Sequence, residues 1–491
     1  MKRNKIISID QGTTSSRAVL FDQNGTILMS DQYEFTQYFP SSGEVEHDAE
    51  EIWQTSLMAL KTCLTGSAND VGAIGITNQR ETVVMWDRAT GQPLHKALVW
   101  QDRRTAGLCA DLKKAGQEKL VRQKTGLVLD PYFSAGKIAW LLDNVEGARQ
   151  RADAGDLCIG TIDSFLIYRL TGGKSFVTDA TNASRTSLYD ITKGQWDDTL
   201  LDLFNVPLSV LPRVLDCAAD FGTTEASITG YAIPITGVAG DQQAATFGQA
   251  CFEIGETKAT YGTGAFMLLN TGAEQRQVDG LLTTVCYQLG GKPTYALEGS
   301  VFIAGAVIQW LRDQMGILEH AADSAELAAS IDDTDGVYFV PAFTGLGAPY
   351  WDPDARGLIT GLSRGTGRAE LVRAALESVA YQTVDLLSTM EAGGIAPKRL
   401  RVDGGMVANN WFVQFLCDSL GLVVDRPTVL ETTALGAAYL AGLGSGMFSN
   451  LDDIKNRWAL DTRFTAAKDD AWRADKRSAW QLAVSRTRLK A

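Results

Sequence analysis

Short apolar runs separated by glycine- and hydroxyl-rich turns recur in both halves of the chain. Residues 5–10, 17–22 and 26–29 read as successive strands, with Asn24-Gly25 supplying a hairpin turn. Apolar positions at helical spacing, Ile52, Leu57 and Leu60 among them, predict an amphipathic helix over 47–64. Strands follow over 71–77 and 82–86, then an apolar run over 97–100 and a helix opening at Gln101-Asp102-Arg103-Arg104. Residues 233–238 are apolar and lead through a glycine turn to a helix that can start at Ala244. Beyond Gln249 the pattern restarts: strands over 256–261 and 266–270 flank Gly262-Thr263-Gly264-Ala265, echoing residues 10–20. Helices are predicted over 301–315, 371–390, 411–420 and 434–443, a strand over 400–402, and a long Gly-, Pro- and aromatic-rich loop over 343–356. The charged tail from Ala466 reads as surface. The repetition points to an internally duplicated α/β protein that clamps a phosphate chain between its halves.

At 491 residues the chain is long enough for two or three domains of ~150 residues. A net charge of −13 argues against nucleic acid or an anionic membrane as the main partner, so an anionic ligand must be held by local amides and a few cations. Seven scattered cysteines without a C-x-x-C pair fit a reducing cytoplasm. The three histidines, His47, His95 and His320, lack metal-ligand spacing. Asp10 interrupts the N-terminal apolar run too early for a signal peptide, and no apolar stretch reaches the ~18 residues of a membrane span.

Candidate chemistry lies in the turns. Asp10-Gln11-Gly12-Thr13-Thr14-Ser15-Ser16 puts a carboxylate at a strand end and then offers amides and hydroxyls, a donor set suited to phosphate oxygens with hydrated magnesium. Gly237-Val238-Ala239-Gly240-Asp241-Gln242-Gln243 presents a carboxylate after a glycine turn, as a catalytic group or as a helix N-cap. Arg80 and Glu81 are adjacent, so they can share one ligand only from an irregular turn; there a guanidinium donor and a carboxylate acceptor would suit a small polyhydroxy compound. Tyr132 is a core residue or a ligand platform, with core slightly favoured. Gly305 and Gln309 share a helix face, and a glycine inside that helix hints at close approach of ligand or backbone. Asp403-Gly404-Gly405, ahead of Asn409 and a helix, is a third anion-friendly turn. Gly172-Gly173-Lys174-Ser175 imitates a Walker A ending, but Tyr168 stands where the first glycine is needed.

Asp10-Gln11-Gly12-Thr13-Thr14-Ser15-Ser16-Arg17, Thr77-Asn78-Gln79-Arg80-Glu81, Gly240-Asp241-Gln242-Gln243-Ala244-Ala245, Tyr261-Gly262-Thr263-Gly264 and Asp403-Gly404-Gly405 together resemble the FGGY carbohydrate kinases, over nearly the whole chain. The resemblance implies two actin-like, ribonuclease-H-like α/β ATPase domains around a cleft, residues 1–252 with the polyol and a phosphate loop and 253–491 with the nucleotide. It is closest to the members that phosphorylate glycerol. On that basis Arg80, Glu81, Tyr132, Asp241 and Gln242 would meet glycerol hydroxyls, with Thr13 beside them and Trp100 and Phe266 against the carbon backbone. Thr13, Thr14, Ser15, Arg17, Thr263, Gly305, Gln309, Gly405 and Asn409 would hold ATP, Asp10 would lie near Mg2+, and Asp241 would act as general base. A cytoplasmic homodimer or homotetramer is implied. Pentulose kinases of the same family and actin-like nucleotide switches are the rival readings. Some bacterial members bind fructose 1,6-bisphosphate on a Gly-Gly-Lys-Gly-Gly-Thr-Arg-like loop, or are controlled by phosphorylation of a nearby histidine. The corresponding stretch here, Glu225-Ala226-Ser227-Ile228-Thr229-Gly230-Tyr231-Ala232, has one glycine, no arginine and no histidine, so neither control is expected.

Overall fold

Strands Lys5–Gln11, Ser15–Phe21 and Ile27–Glu34 form an antiparallel meander, as their alternation and the Asn24-Gly25 turn predict. Val71–Asn78 joins Lys5–Gln11 in parallel, and Ile235–Gly240 joins Val71–Asn78 in parallel, completing a five-stranded sheet. This computed structural model describes residues 3–489; Met1 and Lys2, the start of the N-terminal run, lie outside it.

The same plan recurs in the C-terminal half. Glu256–Tyr261, Ala265–Gly272 and Lys292–Val301 make an antiparallel meander; Arg399–Asp403 and Val424–Pro427 add in parallel on the other side. Leu282–Leu289 and Leu460–Phe464 extend the edges, so this sheet has seven strands. The internal duplication expected from the repeated turns is therefore present in the strand order. A further five-stranded sheet in the N-terminal half contains Val83–Asp87, Ala97–Leu98 and Leu157–Thr161.

The chain crosses between the halves three times, the last crossing carrying it back to Leu460–Phe464 in the second sheet. Asp241–Gly248 leads out of the first sheet toward the second, and Thr432–Gly444 returns from the second sheet to pack on the first. The small residues of Thr432–Gly444 allow backbone-to-backbone approach. A Cβ on Gly75 would fall 2.2 Å from the Ala437 carbonyl oxygen, and one on Gly237 2.2 Å from the Ala441 nitrogen. Thr236 Oγ1 also donates to the Ala441 carbonyl at 2.8 Å.

Several segments differ from the sequence reading. The helix expected over 301–315 is Gly305–Asp313, and Val301 ends the strand Lys292–Val301. Gly305 is thus the first helical residue rather than an interior one, and its small size serves the approach described below. The helix expected at Gln101 begins only at Ala106, because Asp102 is engaged in a turn, accepting from the Val45 and Arg104 amides. The tail is not simply surface: Asp470–Thr487 is a helix that buries Trp480, Ala483 and Val484, and Trp480 Nε1 donates to Asp385 at 2.7 Å. Three apolar residues on an otherwise charged helix are too sparse a stripe to stand out in sequence.

Candidate active site

Strand Val71–Asn78 and strand Val83–Asp87 belong to different sheets, and the bend between them carries Arg80 and Glu81. Glu81 has φ 62, a left-handed conformation unusual for a non-glycine residue. The irregular turn that shared ligation requires is therefore built, and both side chains are buried rather than a surface pair.

Arg80 is the hub. Its Nη1 and Nη2 donate to the two carboxylate oxygens of Glu298 at 2.8 and 2.9 Å, and Nη1 also donates to Gln243 Oε1 at 3.2 Å. Its Nε lies 3.1 Å from Asp241 Oδ1 and 3.8 Å from Glu81 Oε1. Arg185 closes the circuit, donating to Glu81 at 2.7 Å and to Glu298 at 3.1 Å. Burial works against both arginine charges, but Glu298 and Glu81 outweigh it and hold both guanidiniums ionised. Burial also raises Glu298, yet two flanking arginines bring it below the usual carboxylate range. Glu81 remains above that range, with burial the larger effect.

Asp241 is the first residue of its helix. Gly240 occupies the N-cap position, so the carboxylate is not the helix cap; it accepts from the Gln242 amide at 2.7 Å and stays partly open to solvent. A Cβ on Gly240 would lie 2.7 Å from Arg80 Cγ, so the glycine makes room for the arginine stem.

Aromatic side chains continue the wall. The Arg185 guanidinium sits 5.8 Å from the Tyr132 ring centroid, and Tyr132 packs edge-on to Trp100 at 5.6 Å. Tyr132 is half-buried, not core. Its turn is pinned by the buried Lys137, whose Nζ donates to the carbonyls of Pro131, Tyr132 and Phe133 at 2.5, 2.8 and 3.2 Å. Trp100 Nε1 donates to Thr13 Oγ1 at 3.0 Å, which ties this wall to the first glycine turn. Phe266 lies on the second sheet. Register pairs Phe266 with Ser300 and Leu268 with Glu298, and Lys258 with Leu268, so Phe266, Glu298 and Lys258 share one sheet face. No ring contact joins Phe266 to Trp100 among the described residues.

The first turn is closed by the Gly12 amide donating to the Ser15 carbonyl at 2.9 Å; Thr13, Thr14 and Ser15 lie on it with partial or full exposure. Arg17 is already engaged, by Gln32 and Glu431. On the other side, Gly305 N donates to the Gly262 carbonyl at 2.9 Å, and Ala306 N to the Thr263 carbonyl at 3.1 Å. A Cβ on Gly305 would stand 2.7 Å from the Gly262 oxygen and 3.4 Å from Met406. Gly262–Gly264, the helix start at Gly305 and the Gly404–Met406 turn are therefore neighbours, with Gln309 exposed one helical turn on. Asn409 caps Asn410–Leu420 through the Phe412 amide at 3.0 Å.

Asp10 is the penultimate residue of the strand Lys5–Gln11, opposite Arg17. Burial, with Glu431 and Asp241 nearby, pushes its pKa up to about 7 against the pull of Arg17. This carboxylate is short of positive charge. Among the described residues no three His, Cys, Asp or Glu side chains gather as a metal cage. The Asp10 carboxylate with the hydroxyls of the adjoining turn is a donor set that fits a hydrated magnesium ion.

The Walker-like Gly172–Ser175 segment follows a helix rather than a strand, and Lys174 pairs with Glu225. Four residues at the centre escaped sequence reading: Arg185, Gln243, Lys258 and Glu298. A single charge in a half-apolar strand resembles a solvent face, and the only available signal was the small-residue setting of Glu298 in Ala296-Leu297-Glu298-Gly299.

Family profiles match residues 5–248 with the N-terminal domain and 257–445 with the C-terminal domain of the FGGY family of carbohydrate kinases. The chain is 57% identical over 490 residues to glycerol kinase 1 of Pseudomonas aeruginosa, covering 99% of both chains. It is 58% identical over 493 residues to glycerol kinase of Sinorhizobium fredii, again covering 99% of each. Its structure is similar to that of Plasmodium falciparum glycerol kinase with ADP, at a TM-score of 0.94 and 39% identity over 99% of each chain. Xylulose kinase from Lactobacillus acidophilus shares the fold at a TM-score of 0.88 and 22% identity, covering 98% of this chain and 97% of that one.

Proposed function

The chain belongs to the FGGY family of carbohydrate kinases, and from that membership we propose how its site works as a glycerol kinase, transferring the γ-phosphoryl group of ATP to glycerol to give sn-glycerol 3-phosphate. Full-length relatives named glycerol kinase at 57–58% identity support the substrate pair. The observation that carries the mechanism is the half-exposed Asp241 carboxylate, held 3.1 Å from Arg80 Nε at the start of a helix between the two halves.

Phosphoryl transfer needs aligned reactants, neutralised phosphate charge and removal of a proton from the attacking hydroxyl. Arg80 and Gln242 donate to glycerol hydroxyls and Glu81 accepts; Tyr132 adds a phenol, and Trp100 and Phe266 flank the carbon chain. Asp241 takes the proton of the terminal hydroxyl as its oxygen attacks phosphorus, and ADP leaves. Thr13, Thr14, Ser15, Arg17 and Thr263 face the phosphates, and Gly305, Gln309, Gly405 and Asn409 the remainder of the nucleotide. Asp10 would face a magnesium ion accompanying ATP, which would offset phosphate charge. The guanidiniums of Arg80 and Arg185 are paired with the carboxylates of Glu81 and Glu298, so the walls suit a neutral polyol. Closure of the two halves over the cleft excludes water as a competing nucleophile.

A coupled ADP assay tests this reading. Glycerol should be used far better than xylitol, ribitol or xylulose, since bulky aromatics wall the site. Comparable kcat/KM with a five-carbon substrate, or ATP hydrolysis independent of polyol, would overturn it. Assembly as a homodimer or homotetramer is part of the proposal and is read by light scattering on the purified protein. A cytoplasmic location is supported by seven buried, unpaired cysteines.

A further inference from the structure

Lys258 is fully buried in the middle of strand Glu256–Tyr261, on the sheet face that also carries Phe266 and Glu298. Its Nζ donates to Oε1 of Gln242 at 2.5 Å, reaching from the second sheet to the helix that begins with Asp241. Arg80, Asp241, Glu298 and Asp403 are the charged groups around it. Asp403 is already satisfied by Gln249, Thr432 and Thr260, which leaves the amide of Gln242 as the ammonium's direct partner. The other end of that amide, Nε2, has no hydrogen-bond partner among the described residues and is not sealed from solvent, although Gln242 is itself buried.

We propose that Lys258 is a positioning residue for the polyol: by occupying Oε1 it fixes the Gln242 amide so that only the donor, Nε2, is offered to substrate. A free amide can turn over and present either a donor or an acceptor. An ammonium, which only donates, removes one of the two orientations. A hydroxyl that accepts from Nε2 keeps its own O–H, and the adjacent Asp241 is the acceptor for it. The pair Lys258–Gln242 thereby sets the direction of the hydrogen bond on which proton removal depends, and it does so from the opposite half of the protein. This inference rests on the reading of the cleft as a glycerol site.

The test is a double-mutant cycle on the full-length enzyme, with melting curves on the same samples. Lys258→Met should raise the KM for glycerol on the order of tenfold, the equivalent of one hydrogen bond of ~1.4 kcal/mol. Its kcat should change less, and the KM for ATP should not move. Gln242→Ala and the double variant Lys258→Met/Gln242→Ala should have the same kcat/KM, because Lys258 acts only through that amide. Additive losses would overturn the proposal. Gln242→Glu decides the matter even if Lys258→Met fails to fold. The carboxylate keeps a partner for Lys258, so melting should be preserved, but it has no donor, so kcat/KM should drop to the level of Gln242→Ala. Near wild-type activity of Gln242→Glu would overturn the proposal. Wild-type enzyme that makes no ADP on addition of glycerol would instead overturn the underlying reading, and this inference with it.

Discussion

Asp241 carries the sharpest expectation among single side chains. Asp241→Asn keeps the shape and the first-turn position but removes the proposed base, so kcat should fall by about 10²–10⁴. The KM for ATP should change little, and melting should be near normal, because Gly240, not Asp241, occupies the cap position. Near wild-type turnover would remove Asp241 as base. Glu298 makes a second case. It accepts from both Arg80 and Arg185, so Glu298→Gln leaves a buried excess of positive charge, and removal of one partner from such a pair costs roughly 3–5 kcal/mol. Both the melting temperature and the activity should drop; an unchanged melting temperature would mean the circuit contributes nothing. Arg80 and Glu81 were legible as a shared site because adjacent opposite charges need a bend, and the positive φ of Glu81 supplies one. Glu298 and Arg185 were not, since the burial of a lone charge is decided by a partner more than a hundred residues away.

At the level of elements, the glycine turn after Asp10 owes its shape to a layer behind it. Gln37 Nε2 donates to the Thr13 carbonyl at 3.0 Å and Gln79 Nε2 to the Gly12 carbonyl at 3.1 Å. Both amides also meet His47, whose Nε2 lies 2.6 Å from Gln37 Oε1 and whose Nδ1 lies 3.3 Å from Gln79 Nε2. This geometry suits a neutral ring donating from Nε2 and accepting at Nδ1. Burial draws the His47 pKa down from 6.5 to about 4. Between those values the unfolded chain binds a proton that the folded one refuses, so stability present above pH 6.5 is lost as pH falls through the window. His47→Gln should flatten the decline in melting temperature between pH 7 and 4.5; an equal slope in both proteins would assign the acid sensitivity elsewhere. Sequence pattern placed His47 at the head of a helix, whereas it lies in a short strand before Ala49–Leu64, with Asp48 as the cap. Boundaries of this kind depend on caps and on sheet partners, which periodicity does not register. The strands around Asp10, Asp241 and Thr263 were readable because each apolar run meets a glycine turn. The end of Lys292–Val301 was not, because its apolar run continues without a break into the helix at Gly305.

For the molecule as a whole, the helix Thr432–Gly444 lies against the first sheet and against Asp241–Gly248, although it belongs to the second half of the sequence. A Cβ on Gly436 would sit 1.7 Å from the Ala244 oxygen, and one on Gly248 2.1 Å from the Thr432 oxygen, so contact is backbone to backbone over much of its length. The duplication visible in the strand order is thus not a pair of independent modules: each repeat borrows part of its covering from the other. Cutting the gene at the midpoint puts that interdependence to use. Fragment 1–252 made alone would expose the strand face around Gly75 and Gly237, and fragment 253–491 would carry an apolar helix with nothing to rest on, so each should be insoluble or molten by circular dichroism. Made together in one cell they should find each other and restore glycerol-dependent ADP formation, a split enzyme whose reporter signal is its own reassembly.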